Sequence, residues 1–119
     1  MADIYTQAGE ELVVDIIDGT VGTPTYHVGW GTGAGTAAKG DTILFTEASE
    51  ARTATTNTQP SVDINEFRGT ITSDGTKTIT NAGILSALTG GTLLLHSNFT
   101  GVALVLNDAI DFIFTLEQA

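Results

Sequence analysis

Near the end of the chain the side chains alternate with a period of two. Ile110, Phe112, Phe114 and Leu116 fall on one face of an extended segment, while Asp111, Thr115 and Glu117 fall on the other. Only a strand with one buried and one wet face uses such a pattern, because successive side chains of a strand point to opposite sides. Val102, Leu104 and Leu106 keep the same period just before it, with Asn107-Asp108 between the two runs as a turn. The spacing therefore predicts an antiparallel hairpin of 102–106 with 109–116.

Strand grammar extends back through most of the chain. Thr25–Trp30 reads as a strand, Ile43-Leu44-Phe45 as a short apolar piece, and Ala51–Thr58 as an extended threonine-rich segment. Phe67–Thr72 and Thr76–Thr80 read as strands joined by the turn Ser73-Asp74-Gly75. Thr92–Phe99 follows the glycine pair Gly90-Gly91, which suits a tight turn. Several short strands with turn signals between them indicate a single antiparallel β-sandwich, jelly-roll-like, or a small barrel. The fold class is mainly β, in one domain spanning 1–119. No repeat of fixed period argues for a solenoid or propeller.

One early segment breaks the pattern. In residues 10–18, Leu12, Val13, Ile16 and Ile17 share one face of a helix, with Glu10, Glu11 and Asp15 turned away. Glu10 and Glu11 favour the positive end of the helix dipole, and Gly19 can supply a left-handed stop. The β-branched content permits a strand instead, but length and caps favour a short helix. Residues 31–42, which overlap the glycine-rich stretch Gly29–Gly35, hold almost nothing that fills a core and are expected to form a long exposed loop, either mobile or contact-forming.

Composition narrows the function. Fourteen acids against four bases give a net charge of −10, which repels a phosphate backbone and excludes general nucleic-acid binding. Hydrophobic residues make up 41% of the chain, too many for disorder. No apolar run approaches the ~20 residues of a membrane span, and the first residues lack the cationic and apolar blocks of a secretory signal. A soluble protein made in a cytoplasm, with no membrane partner, is expected. The absence of cysteine excludes disulfides, thiolate metal sites and a cysteine nucleophile.

The residues that could carry chemistry lack the spacing it needs. Gly29-Trp30-Gly31 and Gly31-Thr32-Gly33 are followed three positions on by Ala34 and Thr36, so neither completes a dinucleotide loop. His27 and His96 are far apart, and a metal site would need the fold to join them to Asp63 or Glu66. The acid pairs Asp15/Asp18, Glu47/Glu50, Asp63/Glu66 and Asp108/Asp111 read as surface and turn acids, without the aromatics to line a sugar cleft. Ser86 and Ser97 lack a nucleophile-elbow setting. Arg52 and Arg68 are expected to neutralise neighbouring acids such as Asp41, Glu47, Glu50 or Glu66. No catalytic residue, metal ligand or cofactor emerges, and the chain is expected not to be an enzyme.

What remains is a surface suited to assembly. Threonine keeps strand faces polar without charge, and scarce lysine leaves sheet edges unguarded. Residues 1–9 could form a contact arm across a neighbour or tuck against their own domain. Ile4, Tyr5 and Trp30 are the candidate interface residues, because aromatic anchors concentrate in interface cores.

Several segments, in order, resemble small structural proteins of tailed-bacteriophage virions, a group of capsid cement or decoration proteins and tail-fibre-like proteins. They are Tyr5-Thr6 before the helix; Tyr26-His27-Val28-Gly29-Trp30-Gly31-Thr32-Gly33; Gly40-Asp41-Thr42; Glu47 with Arg52; Thr78-Ile79-Thr80-Asn81-Ala82-Gly83-Ile84-Leu85; Gly90-Gly91-Thr92-Leu93-Leu94; Phe99; and the closing strand. In that group Glu is usual where Asn81 stands and an aliphatic residue where Trp30 stands. If that Glu pairs with Arg52 or Arg68, Asn81 loses the charge pair. The resemblance implies a β-sandwich, no catalysis, and a structural role in many copies per particle. Its implied partners are the major capsid protein and copies of the chain itself, on the capsid exterior. A compact chain without heptads or fibre repeats favours a capsid decoration protein over a tail, baseplate or host-attachment subunit. The latter would bind cell-surface glycan through exposed aromatics such as Trp30. A free-standing enzyme or binding domain is the third possibility.

Overall fold

In the computed structural model, which describes residues 3–117, eight strands and one helix follow one another. They are β1 (Ile4–Tyr5), α1 (Gln7–Ile17), β2 (His27–Gly31), β3 (Thr53–Ala54), β4 (Thr56–Ser61), β5 (Ile64–Thr72), β6 (Lys77–Leu85), β7 (Leu93–Leu104) and β8 (Ala109–Glu117). The fold is mainly β, with two antiparallel sheets and one short helix. One sheet has the order β1-β7-β6-β2-β3, the other β4-β5-β8. Inward side chains of both sheets meet in a shared core that includes Val28, Trp30, Phe67, Ile71, Ile79, Ile84, Leu95, Phe112 and Phe114.

The five-stranded sheet is also covered on its outer face. Leu44 packs there with Leu85 and Leu93 in a second apolar cluster, which is why 81–85 and 93–97 are continuous buried runs rather than alternating ones. Space for this layer comes from Gly29 and Gly83, which pair directly across β2 and β6, and from Gly31. A Cβ at Gly31 would lie 2.3 Å from the Phe45 carbonyl oxygen, and one at Gly83 would lie 3.0 Å from Leu44. In Gly29-Trp30-Gly31 the tryptophan thus points into the core, while the flanking glycines leave the outer face bare.

The glycine-rich loop is therefore contact-forming. Thr32 N–H donates to Thr46 O at 3.0 Å and Gly33 N–H to Phe45 O at 2.9 Å, so its first turn runs against 45–46 almost as a further strand. Gly31 itself, expected in the loop, ends β2 and is buried.

Helix α1 begins a turn before the expected 10–18. Thr6 is the cap: its side chain accepts the Gly9 N–H at 2.9 Å, and Gly9 is small enough to sit against Leu94. The helix ends as expected, with Gly19 at φ +83. Leu12, Val13 and Ile16 are partly buried, but Ile17, expected on the packed face, is 80% exposed.

Two expected hairpins do not form. The strands of both are present, yet β5 and β6 lie in different sheets, and so do β7 and β8. β8 pairs with β5 along its whole length, from Thr72↔Ala109 to Ile64↔Glu117. Of the predicted 102–106 strand, 102–104 is instead the end of β7, continuous with 93–99 and paired to β6, while Val105 and Leu106 lie exposed in the corner beyond it. Each expected turn is a corner that carries the chain across the sandwich. The two corners are tied together, with Ser73 N–H donating to Asp108 O at 2.7 Å and Asn107 N–H to Ser73 O at 3.0 Å.

Candidate functional site

The three candidate interface residues do not share a surface. Trp30 is 1% exposed; its ring meets Phe112 edge-on at 6.1 Å, and its indole N–H donates to Glu50 Oε1 at 2.9 Å. Trp30 is a core residue, and the expectation of an exposed aromatic anchor is corrected: both the layer of inward side chains and a buried carboxylate partner hold it inside.

Glu50 in turn accepts the Asp74 N–H at 2.9 Å and pairs with Lys77, which also reaches Asp74 at 2.8 Å. Burial pushes the Glu50 carboxyl up, but the hydrogen bonds from Lys77, Asp74 and Trp30 outweigh it and hold the group at about 2. This cluster ties the corner after β5 to the segment before β3.

Ile4 and Tyr5 lie on their own domain. They pair with His96 and Leu95 as the outermost strand of the large sheet, and Lys39 Nζ sits over the Tyr5 ring, 5.8 Å from its centroid. Residues 3–9 are thus tucked rather than extended as an arm; residues 1 and 2 lie outside the described part.

His96 is fully buried in β7. Its Nδ1 lies 2.8 Å from Asp41 Oδ2 and its Nε2 lies 3.1 Å from Asn81 Oδ1. Asn81 is oriented by the Phe45 backbone, whose N–H donates to Oδ1 at 3.1 Å and whose carbonyl accepts from Nδ2 at 3.0 Å. The trio pins the glycine-rich loop and Phe45 onto the sheet, with His96 and Asn81 fully buried. Neither Asp63 nor Glu66 joins His96, and no group of three or more metal-ligating side chains exists among the described residues. Asn81 is not near an unpaired arginine, since Arg52 forks onto Glu47 at 2.7 and 2.8 Å and Arg68 bonds Glu66 at 2.8 Å. The expectation that both arginines neutralise neighbouring acids holds.

The surface that remains is one open side of the sandwich, where the outer edge of β8 faces the later half of β7. A groove of about 400 Å³ runs between them, lined by Phe99, Thr100, Val102, Ile110, Asp111, Phe112 and Ile113. Val102 and Ile113 are 39% and 42% exposed. At one end Asp3 bridges the two sheets, accepting from Ser97 Oγ at 2.6 Å and from the Thr115 N–H at 2.9 Å. Sequence reasoning missed this side because Val102 had been assigned across from β8 as its hairpin partner, and nothing local marks Asp3 as a bridge.

Comparison with protein-family models, with curated proteins and with solved structures returns no match.

Proposed function

We propose that the chain is a non-enzymatic structural component of a tailed-bacteriophage virion, a decoration or cement protein that binds the outer surface of the head together with copies of itself. The observation that carries this reading is the contrast among its sheet edges. β1 and β3 are two residues long, and β4 carries Pro60 and a register shift between Thr58 and Ser61. These are devices that blunt an edge against pairing. β8 has neither, over nine residues in unbroken register with β5, and it lies beside the later part of β7, which β1, paired only at Leu95 and His96, leaves uncovered. A protein that works alone covers such an edge, whereas one that docks on a larger body leaves it available.

Three further features support the reading. The sequence pattern from Tyr26 to Leu94 resembles that of virion structural proteins, and a two-sheet antiparallel fold is what that resemblance implies. A Cα radius of gyration of 13.8 Å is close to the roughly 13–14 Å of a compact domain of this length, suiting a knob on a shell better than a fibre. The net charge of −10 keeps free copies apart before docking. The tail-attachment reading drew on an exposed Trp30, and burial of that ring takes away its glycan platform.

Quantitative mass spectrometry of separated heads and tails tests the proposal. Many copies per head, in a lattice multiple, are expected. A few copies confined to tails would replace the head assignment, and absence from both would overturn the structural role.

A further inference from the structure

We infer that the outer edge of β8 is a strand-addition site for an extended, cationic segment of a partner protein, with alternate apolar residues seated in the groove between the sheets. The inference deepens the assembly reading and rests on it for its setting, but its geometry is a property of the isolated chain.

The direction of the free backbone groups follows from one contact. Thr115 N–H donates to the Asp3 carboxylate rather than to β5, so it points away from the sheet. Alternate residues of a strand present their N–H and C=O to the same edge, and the register with β5 is unbroken through this region. Asp111 and Ile113 therefore share Thr115's outward direction, and no acceptor meets their N–H groups among the described residues. A strand laid antiparallel or parallel here finds an existing row of donors and acceptors, as in other β-augmentation complexes.

Side-chain parity then dictates the occupant. Residues of the added strand beside Ile110 and Phe112 point inward, toward the groove lined by Phe99 and Val102, and need to be apolar. Those beside Asp111 and Ile113 point outward, where Asp111 and Glu117 are exposed acids. All four cations of the chain are already held in ion pairs, Lys39 with Glu10, Arg52 with Glu47, Arg68 with Glu66 and Lys77 with Glu50. Arg68, beside Asp111 on this face, is already engaged by Glu66, and no lysine or arginine among the described residues is left without an acid partner. Charge complementarity calls for lysine or arginine on the outward positions of the partner strand, and it disfavours a second copy, which brings a further −10 and the same acids.

The test is a heteronuclear NMR titration of the full chain with two synthetic peptides. One alternates valine with lysine; the other has glutamate in place of lysine. The lysine peptide is expected to shift the Asp111 and Ile113 amides and slow their hydrogen exchange, and the glutamate peptide to leave them unmoved. Ile113→Pro removes an outward N–H without touching the ladder to β5 and is expected to weaken binding at least about tenfold, or roughly 1.4 kcal/mol. Should that variant unfold, Asp111→Lys carries the test: it keeps every backbone group and is expected to transfer preference to the glutamate peptide. Three results would overturn the inference. They are equal response to both peptides, no response at these amides to either, or β8 amides already protected in a self-associated free chain. Any of them would remove the strand-addition site and leave the copy number of the chain in particles as a separate question.

Discussion

Asn81 holds three elements with one side chain. It satisfies both backbone groups of Phe45 and one nitrogen of His96, in a region where every buried side-chain polar atom has a partner among the described residues. Asn81→Ala orphans all three at once, and unpaired buried groups are costly, so a loss of about 3 kcal/mol is expected in urea unfolding. Gly31→Ala is expected to cost about 2 kcal/mol by the same measurement, since its Cβ would collide with the Phe45 carbonyl rather than with a movable side chain. Neither role was legible in the sequence. A polar residue within a strand gives no hint of which loop folds over it, and a glycine-rich stretch reads as an absence of structure until its close contacts are known. Trp30 was visible as the chain's lone tryptophan, but Gly31, which with Gly29 marks an inward ring under a packed outer layer, reads locally as the start of a loop.

Among the elements, the corner that joins the sheets has a pH signature. The Glu50 carboxyl is held at about 2, below its ordinary 4.5. As pH falls from that ordinary value, the unfolded chain takes up a proton that folded Glu50 still refuses. The stabilisation is therefore complete above about 4.5 and drains away as pH drops through about 2. Thermal melts across this acid range are expected to show a shallower fall for Glu50→Gln than for the wild type, from a lower starting Tm. At the end of α1, Gly19→Ala is expected to cost about 1 kcal/mol, because φ +83 disfavours any side chain; circular dichroism melts check it. The helix stop and the alternation of β8 were both read correctly from local pattern. Partner choice was not: period two tells which face of a strand is buried, while Phe112 and Phe114 pack equally well under a neighbour from either side. The Asn107-Asp108 turn is compatible with a hairpin, whereas in the fold that corner is tied to Ser73 and the chain passes into the other sheet.

At the scale of the whole molecule, the account turns on one side of a sandwich. The outer edge of β8 and the later part of β7, which β1 does not reach, are left open, and between them lies an apolar groove beside the exposed acids Asp111 and Glu117. Fold class was legible because strand signals accumulate along the chain, whereas an open side is made by residues as distant as Asp3, Val102 and Ile113 and has no local signature. The most direct measurement is hydrogen exchange of the purified chain, free and rebound to phage heads prepared without it. Protection on binding is expected to concentrate at 109–117 and to disappear, with binding itself, in Asp111→Lys. A chain that rebinds with its protection elsewhere, or that does not bind heads at all, would contradict the account.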